Sequence, residues 1–314
     1  MLAGLSVAVL AHRSAEARRF VTMMTSAPAG TKGDEIARSF AQIFGRLLDG
    51  PEIRVRNVPG DGGRTALKIL ADAPPSGSTI GWVATPVLPA RAVDRGDPHL
   101  PSRFVLLGSA LREPTVFVAS AANPLDSVRD MIEQASQDSG ALPMGTPPPG
   151  SPSFLTVLRL QAITQTRLNI IPFPSAAAAR QALLGGNVTA AALGFSDVVA
   201  ALRDEKLVGV GISANERSGI LPDVPILSEA GVPLVAWIDR GLAVPVDTPK
   251  EAIEPLVTAL RAVANDVGFR EQAEALGLSA LWCDGPTWRL QMERERDELD
   301  ALWATDPWLN AGGQ

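Results

Sequence analysis

The chain has 314 residues, 46% of them hydrophobic and 20% charged, which is enough apolar material for one large or two smaller packed domains. Its formal net charge of −6 lacks the basic excess that a phosphate backbone requires, so nucleic acid is excluded as an expected partner. One cysteine, Cys283, rules out an intrachain disulfide, and with only His12 and His99 beside it we predict no metal, no cofactor and no nucleophile–histidine catalytic centre.

The first seventeen residues resemble a secretory signal segment. An apolar run from Leu2 to Ala11 precedes the small-x-small sequence Ala15-Glu16-Ala17, which is typical of a cleavage site. No Lys or Arg comes before the apolar run, and a start placed too far downstream would explain this truncated pattern. A cytosolic N-terminal tail is the alternative. Since no later apolar run reaches the ~20 residues that span a bilayer, we expect a periplasmic mature chain that begins near Ala17.

Strand-like apolar runs alternate with helix-like periodic segments, which is the pattern of a mainly parallel α/β fold. A first strand, RFVTMMTS, leads into a helix. The buried stripe predicted for this helix comprises Ile36, Phe40, Ile43, Phe44 and Leu47. Then follow the strand EIRVRNV, the turn PGDGG, a helix and the strand TIGWVAT. The segments RFVLLGSA and PTVFVAS are interpreted as two further strands.

The chain enters a second unit near Asn123 and returns to the first near Trp237. Between these points the order is helix SVRDMIEQAS, strand GALPMGT, a Pro/Gly loop with a helix, strand LNIIPF, helix AARQALLGGNV, strand TAAALGF and strand LVGVGIS. A long last helix follows Pro286. We predict two α/β lobes, with residues 18–122 and 240–314 in lobe 1 and residues 123–239 in lobe 2. Paired crossings of this kind act as a hinge around a ligand cleft.

Three turns rich in small residues carry the candidate binding chemistry. APAGTKGDE, residues 27–35, runs into a helix N-terminus, where free backbone N–H groups can hold an anion, although a turn without a ligand is the alternative. It is not a nucleotide loop, because Lys32 precedes Gly33. Asp34 is interpreted as the N-terminal cap of the helix. NVPGDGGR, residues 57–64, is interpreted as a structural turn, whereas MGTPPPGSPS, residues 144–153, offers hydroxyls ahead of a helix.

Together these motifs resemble the substrate-binding proteins of tripartite tricarboxylate transporters, the Bug-type periplasmic receptors. PAGTKGDEIAR is similar to the family's PAGG-x-x-D-x-x-AR, NVPGDGG to N-R-P-G-A-G-G and PPSGSTI to P-D-G-Y-T-L. ALLGGNVTAA stands in the place of L-L-G-G-x-V-D, and GLAVPVDTPKEAI in that of G-L-x-A-P-x-G-T-P. SGILPDVPILSEAGVP is close to the most specific motif, S-x-x-L-P-D-V-P-T-x-x-E-A-G. The matches keep the family's order from about residue 20 to residue 303.

The resemblance implies an α/β fold of the type II periplasmic-binding-protein kind, with two lobes, a hinge and a ligand cleft. It implies non-catalytic capture of a small carboxylate, held largely by backbone amides and bridging waters, by a monomeric receptor that serves membrane transporter subunits. The ligand-binding residues that it implies by position are Ser26, Pro28, Ala29, Gly30, Thr31 and Asp34 in the first loop, Thr85 on the floor, and Thr146, Gly150, Ser151, Ser153 and Ser175 in the second lobe.

Departures from the family pattern predict the character of the ligand. Val58 replaces the usual Arg, Thr189 replaces the usual Asp, and Phe154 stands where the second loop often ends in His. Because the second lobe has lost polar groups, we expect an apolar or aromatic body behind the carboxylate rather than citrate. Lys32 adds a cation that either neutralises the acid or points to solvent.

Two other classes of function are open at this stage. An enzyme on the same fold would need a general acid or base in the cleft, for which Asp34 and Asp197 are the candidates, and turnover of a bound acid would reveal it. A degenerate relative would bind no acid and would serve in signalling or protein interaction. A screen of many acids without any thermal shift would favour that third class.

Overall fold

The computed structural model describes residues 20–125 and 127–309. The predicted signal segment lies outside the described residues. The strands are β1 (Phe20–Thr25), β2 (Glu52–Asn57), β3 (Thr79–Thr85), β4 (Phe104–Ser120), β5 (Pro143–Thr146), β6 (Asn169–Pro172), β7 (Ala190–Gly194), β8 (Leu207–Ile212), β9 (Trp237–Pro245) and β10 (Ser279–Asp284). The helices are α1 (Lys32–Leu47), α2 (Arg64–Ala71), α3 (Val87–Val93), α4 (Val128–Gln137), α5 (Pro152–Thr164), α6 (Ala176–Leu184), α7 (Phe195–Arg203), α8 (Lys250–Asn265), α9 (Val267–Ala275) and α10 (Gly285–Thr305).

The strands form one sheet with parallel flanks and an antiparallel centre. Its order is β2-β1-β3-β9-β4-β7-β5-β6, and β8 and β10 also pair with β4. β1 is parallel to β2 and β3, and β5 is parallel to β6 and β7, whereas β4 and β9 are antiparallel to all their neighbours. The prediction of a mainly parallel sheet was wrong for the centre. β4 carries the chain from one lobe to the other and β9 carries it back, so these two strands run in opposite directions.

The two segments predicted as separate strands form one 17-residue strand, β4. Pro114 lies inside it, at the point where β4 changes partners: β9 and β10 pair with it up to Pro114, and β7 and β8 pair with it from Thr115 onward. Since proline has no N–H to donate, a change of partner is a place where it costs little. We call the half with β1–β3, β9 and β10 lobe 1, and the half with β5–β8 lobe 2.

The buried face of α1 holds lobe 1 together. Ile36, Phe40, Ile43 and Phe44 are buried as predicted, and the Phe40 ring stacks on the Trp82 ring of β3 with 4.2 Å between centroids. Leu47 was predicted to share this face but is 39% exposed, since it lies at the last position of the helix. The packed face fixes where α1 begins, and therefore where the preceding loop lies relative to the sheet.

The last helix, α10, contacts both lobes. Its first half buries Trp288 and Met292 in a cluster of lobe 1. Its second half buries Leu299 against α5 of lobe 2, and Arg159 of α5 pairs with Glu295 at 3.1 Å. The predicted lobe boundaries stay a prediction, and this helix adds a contact between the lobes besides β4 and β9. Within the described part of the chain, no helix is both long enough and apolar enough to cross a membrane.

Candidate ligand-binding site

A cavity of about 190 Å³ lies between the lobes at the carboxyl ends of β1 and β3. Lobe 1 contributes α2 and the loops that follow β1, β2 and β3. Lobe 2 contributes Pro152 at the start of α5, and the crossing strand β9 contributes Ile238 and Arg240. The carboxyl ends of parallel strands are the usual ligand position in an open α/β sheet. The cavity is therefore the candidate ligand-binding site.

The lining of the cavity is mostly apolar. Its deeper wall comes from the region around α2 and β3 and includes Met24, Leu67, Leu70, Val83 and Leu88. Among the described residues that line it, Arg240 carries the only charged side chain, and Thr25 and Ser26 carry the hydroxyls. Such a cavity accepts a compact apolar group and offers one cation.

Three helices begin at the cavity wall. Gly33 is the second residue of α1, Gly63 is the N-cap of α2, and Pro152 is the first residue of α5. Within the described part of the chain, neither Gly63, the N-cap of α2, nor Ser151, the N-cap of α5, makes a side-chain cap hydrogen bond. The first N–H groups of a helix have no partner inside the helix and carry its positive dipole end, so the arrangement favours an anion.

Asp34 organises the first loop from inside. Thr31, not Asp34, is the N-cap of α1: its hydroxyl accepts a hydrogen bond from Asp34 N at 3.4 Å, so the prediction for Asp34 was wrong. The Asp34 carboxylate accepts hydrogen bonds from Gly30 N at 2.9 Å and Asn57 Nδ2 at 2.8 Å, and pairs with Arg38 Nε at 2.9 Å. Burial raises the pKa of Asp34, but these bonds outweigh burial and hold it below the ordinary value. A carboxylate with both oxygens engaged is poorly placed to transfer protons.

Of the residues expected in the first loop, Ser26 lines the cavity, and it does so beside Ala27 and Gly33. Pro28 and Ala29 are exposed at the tip of the loop. Lys32 forms a 2.6 Å ion pair with Glu35 on its own helix and is absent from the cavity lining.

The floor of the cavity comes from the residues just before Thr85. Val83 and Ala84 line it, whereas Thr85 is 3% exposed and its hydroxyl accepts a hydrogen bond from Trp288 Nε1 at 3.2 Å. Thr85 therefore joins β3 to α10.

The hydroxyls expected in the second lobe have different environments. Thr146 and Ser151 have buried oxygens without a hydrogen-bond partner among the described residues. Ser153 accepts a hydrogen bond from Thr115 at 3.4 Å. Ser175 accepts one from the first turn of α6 at 3.1 Å and so acts as a helix cap. None of these four residues lines the cavity. Of the described residues in this loop, Pro152, between Ser151 and Ser153, lines it.

Gly150 brings the second loop against lobe 1. It has φ +72°, and a methyl group at this position would overlap the guanidinium of Arg91 and lie 2.9 Å from Trp308 Nε1. Arg91 is 2% exposed and pairs with Asp94, which also accepts a hydrogen bond from Trp308 at 2.9 Å. A methyl group on Gly62 would overlap the same guanidinium. Arg91 thus fills the space between NVPGDGGR in lobe 1 and the loop before α5 in lobe 2.

The crossing strands carry the charges of the site. Arg240 Nη2 lies 2.5 Å from Glu113 Oε1, and Glu113 Oε2 accepts a hydrogen bond from Ser196 N at 2.8 Å. Arg240 Nη1 is buried and has no partner among the described residues. Beside this pair, Arg112 donates two hydrogen bonds to Asp239, at 2.6 and 3.0 Å. Arg240 is therefore held by Glu113, and one of its guanidinium nitrogens is buried without a partner among the described residues.

Arg240 and Glu113 were missed by the sequence reasoning. The available signal was the position of each charge inside a strand-like apolar run, LREPTVF for Glu113 and WIDRGLAV for Arg240. Charged side chains are almost never fully buried unless they are paired, so such runs indicate a partner or a site.

Asp197 adds a second carboxylate beside Glu113. A methyl group on Gly194 would lie 3.3 Å from Asp197 Oδ2 and 3.3 Å from both carboxylate oxygens of Glu113. Burial, and then the charge of Glu113, raises the pKa of Asp197 to about 7. The positive charges of Arg240, Arg180 and Lys32 act in the opposite direction and lower the pKa of Asp197.

We expect Asp197→Asn to stabilise the protein at neutral pH but not at pH 4. The folded-state pKa of Asp197 is about 7 and its ordinary value is 3.8, so the folded state binds this proton more tightly, and wild-type stability falls as the pH rises from about 4 to 7. Asn removes this loss, giving a gain on the order of 4 kcal/mol at pH 8, since each pKa unit corresponds to about 1.4 kcal/mol. Urea denaturation at both pH values measures it. Asp204→Asn, at the exposed end of the same helix, is the control. A gain independent of pH would contradict the assignment.

A larger hollow of about 450 Å³ lies near Trp237, between lobe 2 and α9 of lobe 1. Its two cations are already engaged: Arg217 pairs with Glu229 at 2.9 Å, and Arg270 donates to the C-terminal end of α8 at 3.1 Å. The smaller cavity, which Arg240 lines and at which three helices begin, is thus the better anion site. Among residues 20–125 and 127–309, no cluster of three or more His, Cys, Asp or Glu side chains is arranged to hold a metal ion.

A sheet shared by two lobes, with a cavity where its strands cross between them, defines a two-lobed binding protein. The family model described as tripartite tricarboxylate transporter family receptor matches residues 36–286. The chain belongs to this family, as its motifs predicted, and the family consists of substrate-binding receptors.

Relatives and solved structures agree with this assignment. The UPF0065 protein of the TAR-I ttuE-ttuC' intergenic region of Agrobacterium vitis is 26% identical over 261 residues, which are 82% of this chain and 75% of that one. The UPF0065 protein of the gbd 5' region of Cupriavidus necator is 27% identical, covering 81% and 77%. The periplasmic binding protein BugD has a TM-score of 0.81 at 23% identity, covering 91% and 97%. MatC from Rhodopseudomonas palustris, with bound malate, has a TM-score of 0.79 at 24% identity, covering 90% and 98%.

Proposed function

We propose that this protein captures a small organic carboxylate between its lobes, outside the cytoplasm, and presents it unchanged to a tripartite tricarboxylate-type membrane transporter. The observation that carries the proposal is the cavity at which three helices begin and which Arg240 lines with the one charged side chain of its described lining. An acidic protein has to bind an anion with local dipoles and hydrogen bonds, and this cavity supplies both.

Relatives of the same fold support a carboxylate as the ligand. MatC was solved with malate, and a second R. palustris protein, with a TM-score of 0.81 at 20% identity, was solved with adipate. A receptor needs no proton transfer to the ligand. This agrees with an Asp34 carboxylate whose two oxygens both accept hydrogen bonds from protein groups.

The test is calorimetric titration of the purified protein with a panel of organic acids, followed by mass spectrometry of the ligand after prolonged incubation. We expect saturable binding of one acid per chain and recovery of that acid unchanged. Recovery of a chemically altered acid would favour an enzyme, and no binding across the panel would favour a degenerate relative.

Delivery and location need a separate test. With the native gene region in its own host, we expect the protein in the periplasmic fraction and loss of uptake of the bound acid when the gene is deleted. Unchanged uptake after deletion would contradict the transport role while leaving the binding result intact.

A further inference from the structure

We infer that the ligand carries a single carboxylate on a compact apolar body, so that this receptor selects monocarboxylates against dicarboxylates. The inference rests on the proposed function and narrows it to a substrate class. It follows from the single charged side chain on the described lining of the cavity, from two buried carboxylates beside Arg240 and from the apolar depth of the cavity.

One ligand carboxylate matches the one charged side chain on the described lining of the cavity. Arg240 lines the cavity and pairs through Nη2 with Glu113. Lys32, which pairs with Glu35, and Arg180, which donates to the backbone oxygen of Asp197, are absent from the lining. A second ligand carboxylate would find no further cation among the described residues that line this cavity.

Two protein carboxylates oppose a second negative charge. Glu113 is fully buried, and Asp197 lies beside it, each with an oxygen 3.3 Å from the same point next to Gly194. Like charges brought together away from water repel strongly, because the surroundings screen them poorly. Burial, and then this repulsion, raises the pKa of Asp197 to about 7. A dicarboxylate would bring one more negative charge to this region, whereas the single charge of a monocarboxylate is matched by Arg240.

The rest of the cavity suits an apolar body. Leu67, Leu70 and Val83 line its depth, where a hydroxyl or a second carboxylate would lose its hydration without gaining a partner. The volume of about 190 Å³ exceeds the roughly 150 Å³ that holds a benzene molecule in an engineered apolar cavity, so one ring or a short alkyl chain fits.

Matched acids that differ by one carboxylate test the inference. Calorimetric titrations compare hexanoate with adipate and benzoate with isophthalate at pH 8. We expect the monocarboxylate of each pair to bind at least tenfold more tightly. Tighter binding of adipate or isophthalate would overturn the inference and leave the proposed function standing, whereas no binding by any acid would refute the proposed function itself.

Two variants test the charge repulsion and the apolar depth of the cavity separately. Asp197→Asn removes one repelling charge and should narrow the hexanoate–adipate ratio severalfold, whereas Asp204→Asn should leave it unchanged. Ala66→Leu fills the cavity from α2 and should weaken hexanoate binding at least tenfold without lowering the melting temperature, and Ala262→Leu on the exposed face of α8 is its control. Unchanged hexanoate binding in Ala66→Leu, or an unchanged ratio in Asp197→Asn, would overturn the inference.

Discussion

Replacement of Arg240 by Met is expected to weaken binding of the carboxylate ligand about ten- to a hundredfold. Arg240 is the charged side chain on the cavity lining, and its buried Nη1 has no other partner among the described residues. A hydrogen bond between charged groups contributes about 1.5–3 kcal/mol, and the upper part of that range corresponds to about a hundredfold in affinity. Methionine keeps a side chain of similar length, so the change removes the charge more than the volume. Calorimetric titration measures the loss.

A second variant separates binding from folding. Arg240→Met alone leaves Glu113 buried without its partner, which costs about 3–5 kcal/mol of unfolding free energy. The double variant Glu113→Gln with Arg240→Met removes both charges and should recover most of the stability but none of the binding. Arg103→Met, which breaks an exposed pair with Asp72, is the matched control and should bind as wild type. Wild-type affinity in the double variant would remove Arg240 from the site.

Replacement of Gly150 by Ala is expected to weaken ligand binding at least tenfold by opposing closure of the lobes. The new methyl group would overlap the buried Arg91 guanidinium and push the loop before α5 away from lobe 1. Since the proposed ligand site lies between these lobes, part of the binding free energy of the ligand would then be spent on displacing Arg91. Binding is measured by titration, and the radius of gyration with ligand by solution scattering.

Gly186→Ala provides a close control for this substitution. Gly186 has the same φ of +72° as Gly150 and also lies in lobe 2, but its methyl group would meet nothing within 4 Å. Both variants therefore carry the same backbone strain of an alanine at positive φ, and only Gly150→Ala adds the clash. Equal affinities of the two variants would show that the contact with Arg91 does not control closure.

The alternating pattern of elements was predictable because each strand and helix has its own local period. The stripe of α1 and the strand boundaries near β1, β3 and β5 follow from the spacing of apolar residues. The antiparallel centre was not predictable from these periods. Strand direction depends on which lobe the chain enters next, and the partner change at Pro114 made one long strand look like two.

The candidate site was predictable as a region and only partly as residues. The loops that were singled out do face each other, with Ser26 on one side and Pro152 on the other. Gly63, interpreted only as part of a turn, also lines the cavity. Arg240 and Glu113 lie 127 positions apart in the chain, and no local pattern reports that they pair.

By itself, the sequence determined the family, the two-lobed α/β class and the two loops that meet at the cleft, since these depend on motifs and on short-range periodicity. The tertiary structure decided which groups line the candidate site. In the structure, the Asp34 carboxylate accepts a hydrogen bond from its own loop, and Thr85 accepts one from the last helix. The Arg240–Glu113 pair lies at the cavity. The physical reason is that the burial and pairing of a charge are set by residues far away in the chain. APAGTKGDE therefore indicates an anion, while β4 and β9 supply the Arg240–Glu113 pair on which the proposed selection of a monocarboxylate rests.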